Sequence, residues 1–317
     1  MSPHSHAHSK IFHDIMIITP PYLKPGDTIG ITCPAGYMSL DKVQSCINRL
    51  RDWGYNVRTG ATVGSSSLTY FSGTDEERVN DFQQMLDDDG INAILCGRGG
   101  YGVTRIIDKI NFKKFAERPK WIIGFSDITV LHNHIYANYG ISTMHAPMAG
   151  AFNDPDADTK YLLTLHKAIE GRKLSYQTVQ HPFNRKGEVI GELVGGNLAL
   201  LAHCTGTDSD IKTKGKILFI EDVGEYLYNI DRMMFQLKRA GKFKKLGGLI
   251  VGGFTDNKDT ERPFGATAEE IIHDVVKEYD FPVCFGFPVG HTRENVALKI
   301  GVGYKLKVSK SKAVLAE

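Results

Sequence analysis

No apolar run in the sequence approaches the ~20 residues that a membrane-spanning helix needs. The first residues, in which His4, His6 and His8 alternate with small residues, also lack the apolar core of a secretory signal. We therefore interpret residues 1–16 as a disordered leader and expect a cytoplasmic protein that does not act at a membrane.

Cysteine is scarce and shows no C-x-x-C spacing. An odd number of cysteines leaves at least one unpaired, which favours a reducing compartment over a disulfide framework. The five residues are Cys33, Cys46, Cys96, Cys204 and Cys284.

Charge and metal-ligand motifs are equally sparse. A net charge of +2, without a basic face, argues against nucleic acid as a partner. No H-E-x-x-H or H-x-x-E-H motif occurs, and histidines and carboxylates do not cluster at ligand spacing. We therefore expect neither a metal nor another cofactor.

The chain of 317 residues exceeds the usual size of one hydrophobic core, so we predict two domains. Strand and helix patterns alternate through residues 17–170, which predicts an α/β domain with a mostly parallel sheet and helices on both faces. Short strands dominate residues 188–317, which predicts a smaller, β-rich C-terminal domain. The polar stretch 171–187 has no helical period and is expected to be the linker.

One serine lies where a buried strand turns into a helix. The apolar run Trp121–Ile123 precedes Gly124-Phe125-Ser126, which matches the front half of the G-x-S-x-G nucleophile elbow. Ile128 replaces the second glycine of that motif. These residues alone leave open whether Ser126 is a nucleophile or a helix N-cap.

A glycine-rich loop, Gly97–Gly102, follows another predicted strand, which ends at Cys96. Loops at the carboxyl ends of parallel strands line the ligand crevice. The loop could bind phosphate, supply backbone N–H donors to an oxyanion, or allow tight packing, and we favour the donor role. We interpret Cys96 as a buried structural thiol rather than a nucleophile, and predict a helix over Val103–Ile110.

Two further strand ends carry a carboxylate and a histidine. The apolar run Ile217–Ile220 is expected to stop at Glu221 and Asp222, and His291 follows a second apolar segment. A histidine is the usual base for a serine, and a carboxylate orients its ring. His145 is the rival base, whereas structural roles are expected for two other histidines, His132 and His134.

Together these stretches resemble the LD-carboxypeptidase family of serine peptidases, family S66. That family includes muramoyl-tetrapeptide carboxypeptidases and microcin C self-immunity peptidases. The resemblance extends from about residue 25 to the C-terminus. The matching blocks are Gly97–Gly102, Gly124–Asp127, Gly195–Leu198, Glu221–Glu225 with Ile230–Met233, and Gly290-His291.

The resemblance implies a Ser-Glu-His triad and the release of terminal D-alanine from murein tetrapeptides during peptidoglycan recycling, by an enzyme that is commonly a homodimer. Asp222 and Glu225 are the alternatives to Glu221 as the acid that orients the histidine. A microcin-type immunity peptidase and a non-peptidase nucleotide-binding or amidotransferase-like module remain alternative functions. The implied residues are Ser126 as nucleophile, His291 as base and then acid, Glu221 as orienting acid, the N–H groups of Gly100 (or Gly99) and Asp127 as oxyanion hole, and Arg98, Tyr101 and Arg232 as substrate-binding candidates.

Overall fold

The computed structural model describes residues 16–154 and 159–317, so most of the expected leader, residues 1–15, lies outside the described residues. Two sheets with flanking helices make up this part of the chain. The α-helices are α1 (Leu40–Asp52), α2 (Asp75–Asp87), α3 (Lys113–Glu117), α4 (Thr129–Tyr139), α5 (Thr159–Ile169), α6 (Leu198–Cys204), α7 (Leu227–Arg239) and α8 (Ala268–Val276).

The strands fall into a six-stranded and a seven-stranded sheet. They are β1 (Thr28–Thr32), β2 (Asn56–Thr59), β3 (Ala93–Cys96), β4 (Trp121–Gly124), β5 (Thr143–His145), β6 (Ser175–Val179), β7 (Gly187–Asn197), β8 (Ile217–Val223), β9 (Gly248–Thr255), β10 (Val283–Cys284), β11 (Leu298–Ile300), β12 (Gly303–Val308) and β13 (Lys312–Ala316).

The first sheet has the strand order β11-β5-β4-β3-β1-β2 and is parallel except for β11. Side chains alternate between its two faces, as the pleat requires. In β3, for example, Leu95 packs with α1 and α5, whereas Ile94 packs with α2 and α4 on the opposite face. The predicted α/β class with helices on both faces is therefore confirmed.

The second sheet has the order β10-β9-β8-β7-β12-β13-β6. Strands β7 to β10 pair in parallel, and the remaining strands pair antiparallel. Helices α6, α7 and α8 cover one face, where Leu218 and Ile220 of β8 are buried. The prediction of a second, mainly β domain is confirmed.

Two strands connect parts of the chain that the sequence pattern separates. Strand β6 lies inside the expected linker 171–187 and pairs with β13 at the edge of the second sheet. Strand β11 follows the loop that carries His291 and pairs with β5 of the first sheet. The domain boundaries stay a prediction, because the chain passes between the two sheets more than once.

Two local predictions are wrong. Val103–Ile110 forms the short 3-10 turns Val103–Arg105 and Ile107–Lys109 instead of one helix. Strand β8 does not stop at Ile220 but continues to Val223. Pairing with β9 resumes at Asp222 after a bulge, because β8 advances two residues from Ile220 while β9 advances three.

Among the described residues, no helix combines the length and the apolar character required to cross a bilayer.

Candidate active site

Ser126 has a left-handed backbone, with φ +64°. This conformation is uncommon for a residue other than glycine and marks strain at a sharp turn. Strand β4 ends at Gly124, and a 3-10 turn over Ser126–Ile128 leads directly into α4. A Cβ on Gly124 would lie 2.9 Å from Ile128, so the turn closes only around glycine. The side chain of Ser126 caps neither helical segment, which removes the N-cap interpretation.

The hydroxyl of Ser126 is instead paired with His291. His291 Nε2 lies 3.0 Å from Ser126 Oγ, and its Nδ1 lies 2.7 Å from Glu221 Oε2. A carboxylate can only accept, so Nδ1 carries the proton and the neutral ring accepts the Ser126 proton at Nε2. Three residues distant in sequence thus form one hydrogen-bonded relay.

The acid is held in place by glycines around it. Glu221 is fully buried, and its Oε2 also accepts the backbone N–H of His291 at 3.2 Å. A Cβ on Gly290, which has φ +111°, would lie 2.6 Å from that same oxygen. The bulge between β8 and β9 brings Gly252 against Glu221, where an added Cβ would meet Glu221 Cβ at 3.2 Å. These contacts fix the carboxylate beneath the imidazole.

Burial lowers the pKa of His291, but the hydrogen bond and charge of Glu221 outweigh it, with a smaller contribution from Asp222. The net effect raises the pKa of His291 above its ordinary value. The relay therefore stabilises the imidazolium that forms when the ring takes a proton.

The other two acids considered as orienting groups have different partners. Asp222 accepts from Asn197 Nδ2 at 2.7 Å and from the N–H of Ala199 at 3.0 Å, and burial raises its pKa to about 7. Glu225 accepts from Asn229 at 3.1 Å. Of the three acids, Glu221 is the one whose hydrogen bonds reach His291.

The glycine loop lies beside the serine. A Cβ on Gly99 would come 2.9 Å from Ser126 Cβ and 3.1 Å from Oγ, so a side chain there would occupy the space around the hydroxyl. The next residue, Gly100, has φ +100° and is exposed. Asp127 stands in the first helical turn, where backbone N–H groups lack intrahelical partners. Both segments can present N–H groups to a substrate oxygen near Ser126.

The carboxylate of Asp127 is a feature that sequence reasoning missed. It is buried, and its Oδ2 accepts the N–H of Val103 at 2.8 Å. Burial raises the pKa of Asp127 to about 6, against the lowering effect of the Val103 N–H and of the positive charge of Arg78. The only signal in the sequence was its position next to the serine.

The three predicted substrate-binding side chains are exposed or half-exposed. Arg98 donates to the carbonyl of Tyr37 at 2.9 Å, and it directly precedes Gly99. Tyr101 has an exposed fraction of 48%. Arg232 lies on α7, where it bonds Asn229 Oδ1 at 3.0 Å. Because these hydrogen bonds do not reach the serine or histidine, their role in substrate binding stays a prediction.

The rival nucleophile and base are buried in structural roles. His145 Nε2 lies 3.3 Å from Asn295 Oδ1, and burial lowers its pKa to about 3. His132 pairs with the carbonyl of Gly124 at 2.9 Å. Cys96 is fully buried, and burial raises its pKa well above the ordinary thiol value. None of these bonds involves Ser126, whose hydroxyl is hydrogen-bonded to His291.

A cavity of about 510 Å³ opens beside the relay, next to Phe125. The Phe125 ring also lies 4.8 Å from the His291 ring. Two cationic residues that sequence reasoning did not single out, Lys160 and Arg293, line this cavity, and Arg293 forms an ion pair with Asp154 at 3.2 Å. Arg293 was detectable by its position two residues after the histidine.

No group of three or more histidine, cysteine or acidic side chains is placed to hold a metal ion in the part of the chain that the structure describes.

Comparison with known proteins matches both halves of the chain to one family. A model of the LD-carboxypeptidase N-terminal domain matches residues 29–146, and a model of the C-terminal domain matches residues 190–306. The chain is 34% identical over 301 residues to a probable murein peptide carboxypeptidase of Bacillus subtilis strain 168, covering 93% of each chain.

Two further relatives cover most of the chain. The microcin C7 self-immunity protein MccF of Escherichia coli is 27% identical over 88% of this chain and 90% of its own. The crystal structure of muramoyltetrapeptide carboxypeptidase from Oxalobacter formigenes superposes with a TM-score of 0.84 at 29% identity, covering 91% of this chain and 98% of that one. By sequence and by fold, the chain belongs to the LD-carboxypeptidase family.

Proposed function

We propose that this protein is a serine carboxypeptidase that hydrolyses the L–D amide bond before the terminal D-alanine of a murein tetrapeptide. The observation that carries the proposal is the relay Ser126–His291–Glu221, with distances of 3.0 and 2.7 Å between its members. The names of the Bacillus and Oxalobacter relatives support the choice of substrate.

In the acylation step, Ser126 Oγ attacks the carbonyl carbon of the L-configured residue, and its proton passes to His291 Nε2. The oxygen of the tetrahedral intermediate accepts from the N–H groups of Gly100 (or Gly99) and Asp127. The C–N bond then breaks, His291 returns the proton to the amine, and D-alanine leaves. The tripeptide remains as an ester on Ser126.

Water completes the reaction. His291 Nε2 takes a proton from the water as its oxygen attacks the ester carbonyl, and the same ring returns that proton to Ser126 as the ester bond breaks. Glu221 holds the ring in one tautomer throughout and stabilises its protonated form. The products are the free enzyme and the tripeptide carboxylate.

The terminal carboxylate of the substrate requires a positive or N–H-rich partner. We assign this role to Arg98, because it lies in the loop that contacts Ser126. Tyr101, in the same loop, and Arg232, on α7, are the further candidates. Lys160 and Arg293 offer additional positive charge at the neighbouring cavity.

Two broader properties belong to the same proposal. The enzyme would act in the cytoplasm on recycled peptidoglycan, which is consistent with five free cysteines. It would work as a homodimer, as the family resemblance implies.

The reaction is tested by mass spectrometry of the products from matched tetrapeptides that end in D-alanine or in L-alanine. We expect D-alanine and tripeptide from the first substrate and at least ~100-fold slower cleavage of the second, because inversion moves the carboxylate away from its partner. Equal cleavage of both peptides would contradict the assigned stereochemistry. Cleavage of a peptidyl-nucleotide alone would favour the immunity peptidase, and nucleotide binding without any hydrolysis would favour the non-peptidase module.

A further inference from the structure

We propose that the Asp127 carboxylate and the Arg78 guanidinium are positioning groups that clamp the glycine loop Gly97–Gly102 against Ser126. The clamp sets where the loop presents its N–H donors to the tetrahedral intermediate. This inference rests on the proposed function and adds two side chains to it.

Asp127 connects the carboxyl ends of two neighbouring strands. It directly follows the serine after β4, yet its carboxylate receives the N–H of Val103, which lies beyond the loop that follows β3. The carbonyl of the same peptide belongs to Gly102. The carboxylate is 1% exposed. Burying a carboxylate costs free energy that an apolar side chain of similar size would not cost. We therefore attribute the role of Asp127 to the position in which its hydrogen bond holds the Val103 N–H.

Arg78, on α2, holds the carbonyl of the same peptide. Its guanidinium is fully buried, donates to the carbonyl of Gly102 at 3.0 Å and to that of Pro34 at 2.6 Å, and pairs with Asp75. A Cβ on Gly102, which has φ +146°, would lie 2.7 Å from Arg78 Nη1. The peptide between Gly102 and Val103 is thus held through its N–H by Asp127 and through its C=O by Arg78.

The held peptide anchors the part of the loop that reaches the serine. Gly99 contacts the Ser126 side chain, and its carbonyl accepts the N–H of Gly36 at 3.0 Å. Gly100 and Tyr101 between these anchor points are solvent-exposed. Apart from the Tyr101 ring, whose centroid lies 5.9 Å from that of Phe71, this exposed segment takes its position from its ends. Loosening the end at Gly102 would displace the N–H groups that face the substrate oxygen.

The test compares Asp127→Ala and Asp127→Asn with Asp81→Asn as the matched control. Asp81 is a buried carboxylate that accepts from Thr32 at 2.6 Å and from the N–H of Ala61 at 2.8 Å, and its hydrogen bonds do not reach the glycine loop. Steady-state D-alanine release gives kcat and KM for each protein, and thermal unfolding shows that each is folded.

We expect Asp127→Ala to lower kcat by ~30- to 100-fold while KM changes less than ~3-fold, because an oxyanion donor acts in the transition state. Asp127→Asn should recover part of kcat, since its amide oxygen can still accept the Val103 N–H. Asp81→Asn should lower the melting temperature and leave kcat within ~2-fold of the wild type, because no loop donor depends on it.

A kcat of folded Asp127→Ala within ~3-fold of the wild type would overturn the clamp, as would a change confined to KM. If Asp127→Ala does not fold, Arg78→Met decides, because it removes the donor to the Gly102 carbonyl, and a kcat within ~3-fold of the wild type in that folded variant has the same meaning. A wild-type protein that releases no D-alanine would instead overturn the proposed function, which keeps the two failures separate.

Discussion

Replacing Ser126 with alanine is expected to reduce kcat for D-alanine release by ~10⁴-fold or more. The hydroxyl is the atom placed 3.0 Å from the base, and removing it leaves only water to attack the peptide. Substrate binding should persist, because the oxyanion donors and the neighbouring cavity are unchanged, so KM is expected to stay within ~3-fold. Liquid chromatography with mass detection of released D-alanine measures both parameters.

Ser142→Ala is the matched control for that variant. Its hydroxyl is buried next to β5 and has no hydrogen-bond partner in the structure, so its loss should leave kcat unchanged. If Ser126→Ala keeps more than ~10% of wild-type kcat, another group must carry the attack and the relay is not the catalytic centre.

Replacing Glu221 with glutamine is expected to lower kcat/KM by ~10³- to 10⁴-fold, in line with loss of the orienting acid in other serine peptidases. Glutamine keeps the size that fits beside Gly290, but its amide group can donate toward Nδ1 and favour the wrong ring tautomer. The neutral side chain also ceases to stabilise the imidazolium that forms at each proton transfer.

The same substitution should change the pH dependence. A protonated His291 cannot accept the Ser126 proton, so wild-type activity is present above the pKa of His291 and is lost as the pH falls through it. Glu221 raises that pKa, which places the acid limb of kcat/KM at a higher pH than for an ordinary histidine. Without the charge of Glu221, burial dominates, and the acid limb of Glu221→Gln should move to lower pH.

Glu192→Gln serves as the control, because this carboxylate on β7 bonds Tyr136 of α4 and Lys216 and forms no hydrogen bond to His291. It should retain the wild-type pH profile. If Glu225→Gln shifts the acid limb while Glu221→Gln does not, the orienting acid has been misassigned.

The positions of the three relay residues could be read from the sequence because each follows an apolar run. A strand buried on both faces has a recognisable composition, and the residues after it lie at the edge of a parallel sheet. Ser126 follows β4 in this way. The contact among these residues was predicted from the family resemblance, because no local sequence pattern reports a contact between residues 165 positions apart.

Other features depend on long-range structure and could not be predicted. The bulge at Gly252 and Gly253 of β9 forms only when β9 pairs with β8. The apolar pattern ends at Ile220, whereas the pairing keeps β8 extended to Val223. The pairing of β11 with β5 of the first sheet also depends on contacts between distant parts of the chain. The peptide between Gly102 and Val103 is fixed through its N–H by Asp127 and through its C=O by Arg78, and no local sequence pattern reports either contact.

Whether Ser126 is the nucleophile is tested most directly by trapping the covalent intermediate with a rapid acid quench and locating it by peptide mass spectrometry. We expect an adduct with the mass of the tripeptide acyl group on the proteolytic fragment that contains Ser126, rising and then decaying as D-alanine is released. D-alanine release at the full rate with the adduct on any other residue would contradict the role of Ser126.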